Sequence, residues 1–157
     1  MKKAGVDLAS RRVVAAALKK AEQTGKPAVA MELPDGQLVT GKTSKLLGAS
    51  AALLLNALKS LGNIPDELHL VSPQAIDPIQ HLKVEHLGNR NPRLHTDEVL
   101  IALSISAATN PMAELAMEHL SKLRGCELHS TVILSEVDEK IFKRLGVHVT
   151  CEPRFKA

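Results

Sequence analysis

The stretch from Leu128 to Cys151 constrains the fold more than any other part of the chain. Leu128, Ser130, Val132 and Leu134 alternate as one face of a strand. Ser135 and Asp138 then stand at the spacing of a capping box, heading a helix that ends at Gly146. Val147–Cys151 is a second strand. A short crossover helix joins parallel strands in the right-handed sense, so this unit demands a sheet with helices laid on it. An α/β fold follows.

The remaining chain fits that scheme. Val13, Val14, Ala17, Leu18 and Ala21 recur on one face of a first helix, with Ser10 as its N-cap and Gly25 at its end. Two β-rich runs, Ala28–Leu33 and Gln37–Thr40, flank Pro34-Asp35-Gly36 and read as a hairpin. A helix from Ser44 to Leu61, closed by Gly62, is apolar nearly all round and therefore deeply buried. Glu67–Val71 reads as a strand, and Asp77-Pro78 as the start of a short helix ending at Gly88. Gly88–His95 is polar and irregular. Thr96 caps a further apolar helix, Asp97–Thr109, broken by Asn110-Pro111 before a continuation to Arg124 and Gly125. No linker, repeat or low-complexity tract interrupts the 157 residues, so residues 1–157 form a single α/β domain. The expected fold class is a three-layer α/β/α sandwich with a mixed five-stranded sheet, the N-terminal hairpin antiparallel and the remainder mostly parallel.

Composition removes several functions. The longest uncharged stretches, Leu46–Leu58 and Val99–Ala113, are too short to span a membrane. No apolar signal core follows Lys2 and Lys3, which points to a cytoplasmic location. With two Phe and no Trp or Tyr the chain has no platform for stacking bases. The net charge of +3 comes from 20 basic and 17 acidic residues interspersed along the chain, the pattern of a solvated surface. Neither nucleic acid nor a membrane is expected as a partner.

One motif invites a specific function. Gly36–Thr43 matches the phosphate-loop pattern G-x-x-x-x-G-K-[ST], and it follows a strand and precedes a helix. On that reading the chain is a small phosphotransferase. Against it, Leu38-Val39-Thr40 prefers an extended strand to a loop curled round a phosphate. Gly36 is already used by the hairpin turn, and no later strand ends in an Asp that would hold magnesium, the candidates ending at Ser72 and Ser135.

Metal chemistry has little support. His81 and His86 are five apart, off a common α-helical face; His69 and His129 fall in expected strands; C-x-x-C and H-E-x-x-H are absent. No metal ligand set and no cofactor is named by the sequence. Cys126 and Cys151 bracket the terminal unit too far apart for a disulfide, and a Cys126–His129 nucleophile pair competes with the commoner buried, inert thiol.

The densest polar run is Gly88-Asn89-Arg90-Asn91-Pro92-Arg93-Leu94-His95-Thr96-Asp97-Glu98, directly ahead of a buried helix. Its arginines suit oxyanions, and its Asn and Asp residues equally suit turns. The longer block Gly88–Pro111 that this run opens, with the Thr40–Lys59 segment, Arg124-Gly125-Cys126-Glu127 and Thr150-Cys151-Glu152-Pro153, resembles the C-terminal part of the bacterial domain-of-unknown-function family 1846. The resemblance implies an isolated C-terminal domain, whose missing N-terminal portion carries its own phosphate loop. It also implies a cytidine-deaminase-like fold without deaminase activity, because Lys42-Thr43-Ser44 stands where a H-x-E would open the second helix and P-C-x-x-C is absent.

The site expectation follows from the general rule that ligands of such sheets gather where strands end and helices begin. The N-termini after Lys42-Thr43-Ser44 and Arg93–Glu98 should lie side by side, with Asn89, Arg90 and Asn91 as a rim. Lys42, Thr43, Ser44, Arg90 and Arg93 would bind an anionic small molecule, a phosphate or carboxylate. His95 and Asp97 are the candidate catalytic residues, His95 because it alone titrates near neutrality. The sequence does not decide between an enzyme domain with a substrate or nucleotide-binding cleft and a non-catalytic assembly domain. In the second case its partner is the missing N-terminal portion or a second copy.

Overall fold

The computed structural model describes residues 2–65 and 68–151, with side chains from Arg12 onward. Along the chain run α1 (Lys2–Thr24), β1 (Ala28–Glu32), β2 (Leu38–Lys42), α2 (Ala49–Leu61), α3 (Pro73–His81), α4 (Thr96–Ser106), α5 (Pro111–Glu118), β3 (Glu127–Ser130), α6 (Glu136–Arg144) and β4 (His148–Cys151). A π turn at Leu82–His86 follows α3, and a 3-10 turn at Leu120–Leu123 follows α5.

The sheet has the order β2-β1-β3-β4. β1 is antiparallel to both β2 and β3, and only β3 and β4 are parallel. The expected fifth strand is missing: Leu68–Val71 is irregular, and Glu67 lies outside the described residues. The sheet is therefore mixed and four-stranded among the described residues, with one parallel pair where a mostly parallel remainder was expected. The terminal unit does form that pair, Leu128 opposite Val149 and Ser130 opposite Cys151, but its first strand stops at Ser130, so Val132 and Leu134 lie beyond the strand they were expected to continue.

Each strand shows two different faces. Val29 and Met31 of β1, Val39 of β2 and Leu128 of β3 enter the main core with Leu53, Leu54 and Leu58 of α2 and Phe142 of α6. Ala30, on the opposite face of β1, meets Val13 and Ala17 of α1 in a smaller cluster. Small alanines there let a helix lie close to the sheet. One helix covers one face, and α2 with the later helices covers the other.

Gly41 sets how closely α2 approaches. A Cβ at that position would run into Leu53 N and stand 2.7 Å from Ala49 O, so only glycine fits between β2 and α2. Gly36 takes φ +87° in the hairpin turn, as Pro34-Asp35-Gly36 required. Leu38, Val39 and Thr40 are extended and pair with Glu32, Met31 and Ala30. The phosphate-loop reading of Gly36–Thr43 is thereby overturned, since backbone spent on a ladder cannot wrap a phosphate.

Several boundaries move. α1 begins at Lys2, which leaves Ser10 inside it rather than capping it. α2 begins at Ala49 rather than Ser44, because β2 continues to Lys42 and the Ser44 hydroxyl turns the chain by accepting from Leu46 N and Leu47 N. α3 is capped by Ser72 with Pro73 in its first turn, so Asp77-Pro78 lies within the helix instead of starting it. His95, not Thr96, is the N-cap position of α4, and Asn110 starts α5 as a separate helix by accepting from Met112 N. His69 is exposed and outside any strand. The π turn brings the His81 and His86 rings edge to face with centroids 5.8 Å apart, because its i,i+5 repeat aligns residues that an α-helix would separate.

Candidate functional site

The Leu46–Gly48 segment leads into α2 and the Leu94 segment into α4, and the two run side by side. Leu47 and Leu94 form a parallel bridge, Leu94 N donates to Leu46 O at 3.0 Å, and Gly48 N donates to Leu94 O at 3.2 Å. The Arg93 guanidinium strengthens the junction by donating from Nε to Ser44 O. The two helices therefore start as neighbours at the end of the sheet where β2, β3 and β4 finish.

A cavity of about 400 Å³ opens there. Gly48, Ala49 and Ser50 bring the start of α2 to it, His95 the start of α4, and Ser135 with Asp138 the start of α6. Pro27 and Val29 form one apolar wall, and Val132, Ile133 and Leu134 another. Thr43 and Asn91 complete the polar lining used below.

The helix starts differ in how their N–H groups are satisfied. At α4, Glu98 Oε1 accepts from His95 N at 2.8 Å. Asp138 Oδ1 crosses from α6 to accept both Thr96 N at 3.0 Å and Thr96 Oγ1 at 2.8 Å. At α6, Ser135 Oγ accepts from Asp138 N at 3.2 Å. At α2 the N-cap is Gly48, which has no side chain to offer. Beside this bare helix start, Thr43 is 6% exposed and its Oγ1 has no hydrogen-bond partner among the described residues.

Asp138 is the candidate site residue that sequence reasoning missed. The capping-box spacing assigned its carboxylate to its own helix, and only Ser135 plays its half of that box. The carboxylate instead faces α4, with Oδ2 3.8 Å from His95 Nδ1. The Asp138 carboxylate facing the ring raises the His95 pKa above its ordinary 6.5, against the downward pull of burial. Burial pushes Asp138 upward, but the donors of His95 and Thr96 outweigh it and hold the carboxyl below its ordinary 3.8. A histidine and a carboxylate held in this way can exchange a proton with a bound molecule.

A buried lysine braces the same loop. Lys83, 3% exposed on the π turn, donates from Nζ to Arg93 O at 2.6 Å and to Glu98 Oε1 at 2.7 Å. Glu98 is the carboxylate that holds the His95 amide, so Lys83 fixes the histidine backbone through one intermediary.

Of the residues singled out in the sequence, Thr43, Asn91 and His95 line the cavity. Ser44 and Arg93 tie the two leading segments together, and Asn91 Oδ1 also accepts from Arg93 N at 3.0 Å. Lys42 is the exposed last residue of β2, and Asn89 and Arg90 are exposed on the loop. Asp97 accepts from Glu98 N at 2.8 Å and lies outside the lining, so the carboxylate beside His95 is Asp138. Cys126 donates weakly to Lys122 O, and burial pushes its thiol pKa up, away from nucleophilic character. Among the described residues no three His, Cys, Asp or Glu side chains converge as a metal set, and no helix is long and apolar enough to cross a membrane.

A mixed α/β domain with helix N-termini gathered at one end of the sheet is a common design for small-molecule sites. This chain belongs to the family described as domain of unknown function DUF1846, C-terminal, whose model matches residues 9–157. It is 59% identical over 155 residues to the UPF0371 protein cu0538 of Corynebacterium urealyticum, which covers 99% of this chain and 31% of that protein. A UPF0371 protein of Corynebacterium glutamicum is 60% identical over 156 residues, 99% of this chain and 32% of its own length. A third, SpyM50764 of Streptococcus pyogenes, is 53% identical over 152 residues, 97% and 31% respectively. The chain thus spans about a third of the length of these relatives.

Proposed function

We propose that this domain binds a small anionic ligand at the start of α2 and supplies His95 and Asp138 as a proton-transfer pair, as the C-terminal part of a larger enzyme. The observation that carries the reading is the contrast between helix starts: α4 and α6 are closed by side chains of this chain, whereas α2 faces the cavity uncapped beside the unpartnered Thr43 hydroxyl. Free N–H groups and the positive end of a helix favour an anion at such a place. The relatives' greater length supports a second portion beyond this domain. Kinship with cytidine-deaminase-like domains belongs to the same proposal and is supported by helices on both faces of a mixed sheet.

The test follows the backbone amide signals of Ala49, Ser50 and Ala51 by NMR while phosphate and carboxylate salts are added. At least one anion should move them selectively; a flat response to every anion would sink the reading. One observation favours an assembly role in addition: Ile101 and Ile105, one turn apart on α4, are 60% and 69% exposed. An apolar pair of this kind on a helix suits a covering surface.

A further inference from the structure

We infer that the anion taken by this cavity is a monocarboxylate with an apolar tail, and that phosphate esters and polyphosphates are excluded. The inference rests on the anion-binding reading above and narrows it to one ligand class. Charge decides the first half. No Lys or Arg lines the cavity among the described residues: Lys42 and Arg90 are exposed outside it, and the Arg93 Nε is held by Ser44 O.

The start of α2 offers the equivalent of about half an elementary charge. The His95 cation, when formed, faces Asp138, a carboxylate already inside the lining. Once the His95 cation and the Asp138 carboxylate offset each other, the α2 start is left to meet a single ligand charge, and the second charge of a phosphate dianion meets only the Asp138 carboxylate. A monocarboxylate meets the α2 amides with one oxygen and leaves the other for the Thr43 hydroxyl, which is buried and lacks an acceptor.

Shape decides the second half. About 400 Å³ is far more than an inorganic anion fills, and the walls away from α2 are Val29, Val132, Ile133 and Leu134. Only an apolar group gains from those walls.

The experiment is a titration of the full chain with 4-methylpentanoate, acetate, inorganic phosphate, pyrophosphate and adenosine monophosphate, read by the Ala49–Ala51 amides and by thermal shift. 4-Methylpentanoate should bind at least about tenfold more tightly than acetate, from the burial of its tail. It should outdo each phosphate compound by a similar factor. Phosphate or the nucleotide binding as tightly as 4-methylpentanoate would overturn this inference while leaving the anion site standing. Silence with every compound would overturn both. Thr43→Val keeps the shape of the side chain and should weaken 4-methylpentanoate roughly tenfold through the lost hydrogen bond to a charged oxygen. Unchanged affinity counts against the inference. Gly48→Asp places a carboxylate at the open helix start and should abolish binding; binding that survives it overturns the placement.

Discussion

The starts of α2 and α4 are neighbours joined by one backbone bridge, yet they are chemically opposite. α4 begins under two carboxylates, Glu98 and Asp138, with Lys83 buried against the first and His95 facing the second. α2 begins at a glycine beside a hydroxyl with nothing to bond. The difference teaches that satisfied caps build a frame, and that the cap left out is where a ligand can take the place of a side chain.

The comparison breaks most severely if the frame is cut. Asp138→Ala leaves Thr96 N and Thr96 Oγ1 buried without their acceptor and should cost about 3 kcal/mol in urea unfolding. A loss below about 1 kcal/mol would mean that Asp138 does not hold the two helices together. Lys83→Met is the next largest. Glu98 keeps some exposure, so losing its partner should cost about 2 kcal/mol. Because Lys83 also lowers the His95 pKa, the variant should move the His95 titration upward by NMR, a shift that loss of packing alone would not produce.

A smaller effect is carried by pH. His95 has a raised pKa in the folded state, so its stabilising contribution is complete below about 6.5 and fades as pH rises through the folded value. Asp138 has a lowered pKa, so its contribution is present above about 3.8 and fades as pH falls through the folded value. Between these limits both act. Asp138→Asn should remove the alkaline fade and return the His95 titration toward 6.5; a native-like profile in that variant would dissociate the pair. Smallest in stability is Gly48→Asp, which caps α2. Gly48 has ordinary φ −68°, and a Cβ there meets nothing closer than Leu94 O at 3.7 Å, so a gain of a few tenths of a kcal/mol is expected. Destabilisation instead would show that α2 is not open in the sense described.

Local patterns in the sequence carried the hairpin, the terminal strand–helix–strand unit and the burial of α2. They failed where a distant partner decides. The Ser44–Leu47 segment has helical character, but pairing with Leu94 and the Ser44 turn keep it out of the helix until after Gly48. Ser72-Pro73 carried the same cap signal as Asp77-Pro78 and was the true start of α3. The juxtaposition of Ser44 and Arg93 was legible, because both precede buried helices. The partner of His95 was not: Asp138 lies 43 positions away, and its spacing from Ser135 pointed to a local role.

The placement of β1 has a consequence for how the domain assembles in time. Its partner on one side, β2, is a hairpin neighbour, whereas its partner on the other, β3, lies about a hundred residues along the chain, with Ala28 N reaching Thr131 Oγ1 across 103 positions. The hairpin can close early, but the central seam must wait for a long loop to close, which is slow. Thr43 and the start of α2 lie on the early side of that seam, and Ser130, Ser135 and Asp138 on the late side. The cavity is complete only when that long-range pairing has formed, so a molecule that binds it and not the open chain acts as a clasp that stabilises the completed sheet.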